Sequence, residues 1–187
     1  MKVLFKITLL LGLCVGVTAV KALEVLIPAN AMWTYYDLPQ KPSEGWKSIE
    51  FDDSNWPIGR SQLGYGEGDE RTVVAKEAQG QPILIHYFRH KFSWEEIYSK
   101  QHLKLRLLVD DGARVFLNNQ EVHRQLLPAE SLDSAQLATG SLIEHSWYEV
   151  ELGNDVRLKR ENILAVEVRQ VSKKSSDLSF NLALLIE

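Results

Sequence analysis

The chain has 187 residues, with 21 Lys and Arg against 25 Asp and Glu, a formal net charge of −4 and a single cysteine. A mildly acidic chain with scattered bases excludes a nucleic-acid surface, which needs a basic stripe to displace counterions. One cysteine excludes an internal disulfide.

In chain order, Lys2 and Lys6 open a basic start, an apolar run follows from Ile7 to Val20, and Ala22 closes it as a small residue. This is the layout of a secretory signal peptide cut after Ala22. The run is about 14 residues, short of the roughly 20 needed to span a bilayer, so no membrane span is expected after cleavage. Leu13 is bulky where a lipid-anchor site at Cys14 would want a small residue. Cleavage removes Lys2, Lys6, Lys21 and Cys14 and takes the formal charge from −4 to −7. Residues 23–187 then suit one domain in an exported location, periplasmic or extracellular. That domain carries no thiolate nucleophile and no zinc–thiolate site.

Val25 and Ile27 predict a first strand. Residues 33–82 are rich in Trp, Tyr, Gly and Pro with little alternation, which predicts a long excursion pinned by Trp33, Trp46 and Trp56. A strand is expected from about Ile83, with Phe88, Phe92 and Trp94 on one face. Leu103, Leu105, Leu107 and Val109 alternate with Lys104, Arg106 and Leu108, the period of a half-buried strand. Asp110-Asp111-Gly112 turns the chain, Ala113–Leu117 resumes it, Asn118-Asn119 turns it again and Gln120–Arg124 returns, giving a meander. Tyr148, Val150 and Leu152 share a face, as do Leu164, Val166 and Val168, and then Phe180, Leu182, Leu184 and Ile186. Only Trp94–Gln101 and Pro128–Leu137 offer room for helical turns. Eight or so strands with irregular loops predict an all-β, two-sheet antiparallel jelly-roll sandwich.

An ordered set of short motifs runs through the chain: Trp33-Thr34-Tyr35-Tyr36-Asp37, Gly45-Trp46, Phe51-Asp52-Asp53-Ser54-Asn55-Trp56 and Leu63-Gly64-Tyr65-Gly66. Tyr87-Phe88-Arg89, Asp110-Asp111-Gly112-Ala113, Val115-Phe116-Leu117-Asn118, Asn162–Val168 and Ser176–Phe180 continue it. Together they resemble the galactose-binding-like jelly-roll domains appended to secreted bacterial hydrolases, with a more distant likeness to the sugar-binding domain of glycoside hydrolase family 2. The resemblance implies a non-catalytic accessory β-sandwich. Asn119 stands where such domains usually have Gly, and Arg169 where a His is common.

The chemistry-bearing residues are few. Asp52-Asp53 and Asp110-Asp111 sit at turns, where Asp accepts nearby amide hydrogens, and Gly112 is expected to supply a positive φ. Neighbouring strand residues point to opposite faces, unlike the two carboxyls of a glycosidase, which flank one bond. Gly64–Asp69 is glycine-rich but lacks the spacing of a nucleotide loop. Glu67, Asp69 and Glu70 offer oxygens to a structural calcium ion, which takes six to eight. His86 and His90 lie about 13 Å apart on a strand at roughly 3.3 Å per residue, too far to share a metal. No Gly-x-Ser-x-Gly or His-Glu-x-x-His occurs. Trp147 and Tyr65 are the candidates for an exposed sugar-stacking platform, and Arg114 and Arg169 point outward to meet hydroxyls. The expectation is a non-catalytic exported module binding carbohydrate, with a protein-docking or envelope-structural module as the alternative and a hydrolase as a remote one. Protein recovered from its native producer should lack residues 1–22, and a full-length intact mass would contradict the signal-peptide assignment.

Overall fold

A computed structural model describes residues 23–96, 102–129 and 136–187. The strands are β1 (Glu24–Ile27), β2 (Met32–Tyr36), β3 (Ile58–Arg60), β4 (Leu63–Tyr65), β5 (Thr72–Val73), β6 (Glu77–Ala78) and β7 (Gln81–Pro82). They continue as β8 (Ile85–Ser93), β9 (Leu103–Val109), β10 (Gly112–Leu117), β11 (Gln120–Gln125), β12 (Tyr148–Glu151), β13 (Glu161–Arg169) and β14 (Leu178–Ile186). One sheet runs β12-β9-β14-β4-β5, with β1 also on β14, and the other runs β11-β10-β13-β8-β2-β3. Every pairing in the two sheets is antiparallel except β4 with β5. No helix occurs among the described residues. The two segments expected to hold helical turns lie largely outside them, as does the expected signal peptide.

The alternation read from β9, β13 and β14 places one row of each strand between the sheets. Leu105, Leu107, Val115, Leu117, Leu164, Val166, Leu182 and Leu184 are buried there. Phe88 stacks on Phe180 at 4.0 Å between ring centroids, and Trp33 meets Phe180 edge-on at 4.9 Å. Such aromatic pairs add to their area burial. Trp33 therefore belongs to the central core on β2, not to the pins of a loop. The aromatic-rich region is also less of an excursion than its composition suggested, because it supplies β2 and β3 to one sheet and β4 and β5 to the other.

Both turns of the meander form. Asn118 and Asn119 take φ of 51° and 74°, the left-handed pair that a two-residue hairpin requires. Gly112 is different: its φ is not positive. A Cβ there would lie 2.8 Å from Ala138 Cβ and 2.8 Å from Leu127 Cδ2, so glycine is needed for close approach. The two aspartates are structural acceptors, as expected, but for donors distant in the chain, two amides and one hydroxyl. Asp110 Oδ1 accepts from Ser179 N at 3.0 Å, and Asp111 accepts from Val171 N at 2.8 Å and Ser141 Oγ at 2.6 Å. Burial pushes the Asp110 carboxyl up to about 6, helped by the nearby Asp111 and Asp177.

His86 on β8 is buried, and its Nε2–H donates to Ala75 O at 2.9 Å. Desolvation pushes the imidazole down to about 4. The unfolded chain takes up that proton near 6.5, so this contribution is complete above about pH 6.5 and is lost as the pH falls toward 4. We expect wild type to lose about 2 kcal/mol more than His86→Gln between pH 7 and pH 5, by urea denaturation. Asp110 acts in the opposite sense but is common to both proteins, so the difference isolates His86. Equal losses would contradict a neutral buried imidazole.

Candidate functional site

Strand parity sets the site. Tyr87 and Arg89 of β8, Arg114 and Phe116 of β10, and Ala165, Glu167 and Arg169 of β13 occupy alternate positions, and the register pairs Arg114 with Glu167, Phe116 with Ala165, and Tyr87 with Glu167. These side chains leave the sheet on the face away from the central core. There they form a second cluster, in which Trp46, Tyr87, Phe116, Ile163 and Ala165 pack with Tyr36, Phe51 and Trp56.

The covering segment is held by Arg89. Its side chain is fully buried, with Nε on Asp53 Oδ2 at 2.8 Å, Nη1 donating to Trp46 O and to Ser48 O at 3.1 Å, and Nη2 reaching Phe51 O at 3.5 Å. Its guanidinium also lies 5.0 Å over the Phe51 ring and 6.0 Å from that of Trp56. Burial alone would push the Asp53 carboxyl up, but hydrogen bonds and charge from Arg89 and Lys91 hold it below the usual carboxylate range. Asp52 accepts from Ser54 N at 3.0 Å, a local turn. Asp52 thus serves its own turn, as expected, whereas Asp53 is an ion-pair partner of Arg89 and Lys91 rather than a turn acceptor.

With this segment in place, Trp46 walls a pocket of about 360 Å³ floored by Tyr87, Phe116, Arg114, Glu167 and Arg169 and rimmed by Lys41, Glu44 and Lys47. Arg169 Nε donates to Glu167 Oε1 at 2.7 Å and its Nη1 to Gln136 O at 2.7 Å. Arg114 donates through Nε and Nη2 to Glu121 Oε2, at 2.9 and 2.6 Å, which leaves Nη1 at 3.9 Å from Glu167. The Arg114 guanidinium and Lys47 Nζ lie over the Phe116 ring, at 4.7 and 4.6 Å from its centroid. Rings, fixed donors and a carboxylate acceptor converge on one concavity.

Of the four expected ligand-contacting residues, Arg114 and Arg169 meet here. Tyr65 does not, and it is no exposed platform. It lies buried on β4, with its hydroxyl accepting from Gln170 Nε2 at 2.8 Å and its phenol pushed up to about 12, chiefly by burial. Gly64 and Gly66 let β4 lie close against the chain around Leu178, since a Cβ on Gly64 would sit 1.9 Å from Leu178 O. Trp147 is half-buried just before β12, at the other sheet, with the Arg106 guanidinium 5.1 Å over its ring. Trp46 and Phe116 escaped notice as pocket walls because their outer-face role depends on a distant segment folding over them.

The expected calcium ligands are regrouped. Glu70 accepts from the amides of Glu67 and Gly68, at 2.8 and 2.9 Å, and so serves its own loop. Glu67 instead meets Glu144 and Asp177, one carboxylate oxygen from each lying within 4.8 Å of the others, and forms a second such group with Asp69 and His145. Glu144, His145 and Asp177 had no spacing signal in the sequence.

No family model matches the sequence, and no curated protein matches it. Solved structures match in fold. A beta-glucuronidase from glycoside hydrolase family 2 superposes with a TM-score of 0.57 at 13% identity, over 88% of this chain and 18% of that one. A calcium-binding mutant of Bacteroides uniformis beta-glucuronidase 2 gives 0.54 at 14% identity, over 88% and 18%. A glycosyl hydrolase family 2 member from Bacteroides cellulosilyticus gives 0.53 at 13%, over 88% and 20%. The shared property is the fold. The jelly-roll likeness drawn from the ordered motifs is borne out, and this chain spans about a fifth of the length of these enzymes. No helix among its described residues is long and apolar enough to cross a membrane.

Removing Arg89 should dismantle the site. Arg89→Met leaves Asp53 without its closest cation and takes a donor from each of three carbonyls, so we expect a cost of about 3–5 kcal/mol in chemical denaturation. Trp46 and Trp56 should become solvated, which a red-shifted tryptophan emission would report. An unchanged melting temperature would contradict the role given to Arg89.

Proposed function

We propose that the chain is a non-catalytic glycan-binding module that takes sugar in the outer-face pocket walled by Trp46. The observation that carries this is the convergence of Arg114, Glu167 and Arg169 beside three aromatic side chains in a concavity of about 360 Å³. Hydroxyl-rich ligands are recognised by planar donors and carboxylate acceptors held in fixed geometry against an apolar wall, in pockets of roughly 300–1,000 Å³. Glu167 is spent on orienting Arg169, which suits recognition better than proton transfer. The fold supports the same view, because it accounts for only a fifth of the glycoside hydrolases that share it. The N-terminal layout of the sequence supports an exported location, where glycans are met.

The test is electrophoresis of the protein in gels cast with a panel of polysaccharides, followed by calorimetry on any that retard it. We expect at least one to retard wild type. Arg114→Ala, which loses charged hydrogen bonds, should weaken it about 10–100-fold while leaving the protein folded. Retardation by none, or retardation indifferent to Arg114→Ala, would refute glycan binding at this pocket. A specific exported protein recovered instead would favour the docking alternative.

A further inference from the structure

We propose, resting on the glycan reading above, that the ligand is a chain of sugars with an anionic residue, carboxylated or sulfated, in the Trp46 pocket and an uncharged residue beyond Tyr87. Two unlike compartments meet there. The Trp46 pocket adjoins a second concavity of about 150 Å³, and the two share Lys41 and Tyr87. Tyr87 is only 2% exposed and lies flush in the floor, while Lys41 is an exposed side chain on the rim, so neither stands as a wall between them. The floor continues along β8, where Tyr87 and Ile85 are alternate residues on the outer face, about 7 Å apart. A ligand longer than one sugar is therefore received on a continuous surface.

The compartments differ in charge. The second is walled by Leu38, Pro82 and Ile85, with Gln40 and Gln81 beside them, and among its lining residues only Lys41 is charged. The Trp46 pocket carries four bases against two acids, in a chain whose formal net charge is −4. Of those acids, Glu167 is already matched by Arg169 Nε at 2.7 Å, and Glu44 lies exposed on the rim. Lys41 and Lys47 enter no ion pair among the described residues. Arg114 Nη1, with Glu167 at 3.9 Å, makes no hydrogen bond among them either.

Lys47 Nζ and the Arg114 guanidinium are nevertheless held over one ring, that of Phe116. Like charges gathered in one place repel, and an anion between them relieves the repulsion. A sugar carboxylate or sulfate would accept from Arg114 Nη1 and pair with Lys47, and such charge-assisted bonds are stronger than those to a neutral hydroxyl. The chain as a whole is acidic and offers a polyanion no general attraction, so the preference has to arise in this pocket.

Affinity electrophoresis and calorimetry with three matched polymers test the proposal. One alternates a uronic acid with a neutral sugar, the second is the same polymer with its carboxyls reduced to alcohols, and the third is the reduced polymer bearing sulfate. We expect one or both acidic polymers to bind at least about 10-fold more tightly than the reduced one, the tighter of the two identifying the anion. A Lys41→Gln/Lys47→Gln double variant, with wild-type tryptophan emission to show an intact pocket, should bring that preference below about 3-fold. A tetrasaccharide of the preferred polymer should bind at least about 10-fold more tightly than its single acidic sugar, and Leu38→Asp, in the second compartment, should remove most of that advantage. A reduced polymer that binds as tightly as both acidic ones, and weakens on Arg114→Ala, would overturn the proposal while leaving glycan binding at the pocket standing. A charge preference that survives the double lysine variant would overturn it too, as would a single acidic sugar that binds as tightly as the tetrasaccharide. Retention of no polymer would remove the glycan reading and the proposal together.

Discussion

Arg89 is the constraint on which the outer-face half of the molecule depends. A guanidinium that gives up water must find acceptors for its N–H groups and a counter-charge, and the chain between Trp46 and Asp53 supplies both. That demand folds an otherwise irregular segment flat over the outer face of one sheet. β13 is in consequence buried on both faces apart from its first residue, although it belongs to an antiparallel sheet that would ordinarily leave one face wet. The same ion pair seats Trp46 between Tyr87 and Phe116, so the packing that stabilises the sheet also shapes its concavity.

A small net charge conceals two regions of opposite character. The Trp46 pocket gathers Lys41, Lys47, Arg114 and Arg169 against Glu44 and Glu167. The loop end gathers Glu67, Asp69, Glu144 and Asp177, with Asp110 and Asp111 behind them. Long-range attraction at either place is screened over roughly 10 Å at ordinary ionic strength. Neither region therefore exerts a long-range pull at ordinary ionic strength.

Much of the architecture was legible in the residues because period-two alternation is a local property. Leu103–Val109 and Phe180–Ile186 declare their inward rows without reference to anything else, and Asn118-Asn119 declares its turn. Parity also placed Arg114 and Arg169 together on the outer face of their sheet. What lay beyond the sequence was whatever depended on a distant partner. Tyr65 read as exposed because flanking glycines usually mark a loop, whereas here they permit β4 to crowd against β14. Gly112 read as a left-handed turn residue, whereas its constraint comes from Leu127 and Ala138. Glu67 stood out in the sequence as an acidic loop residue, but Glu144 and Asp177 lie far along the chain and are brought near it only by loop docking.

β1 closes the molecule in an informative way. Glu24 pairs with Ile186 and Val25 with Leu185, so the first and last strands run antiparallel with their outer ends side by side. A pull applied through residues 24 and 186 would therefore load that ladder one rung at a time and peel it open, rather than shearing all its hydrogen bonds together. The molecule would yield to tension at this seam at low force, while both the Trp46 pocket and the acidic loops stayed assembled.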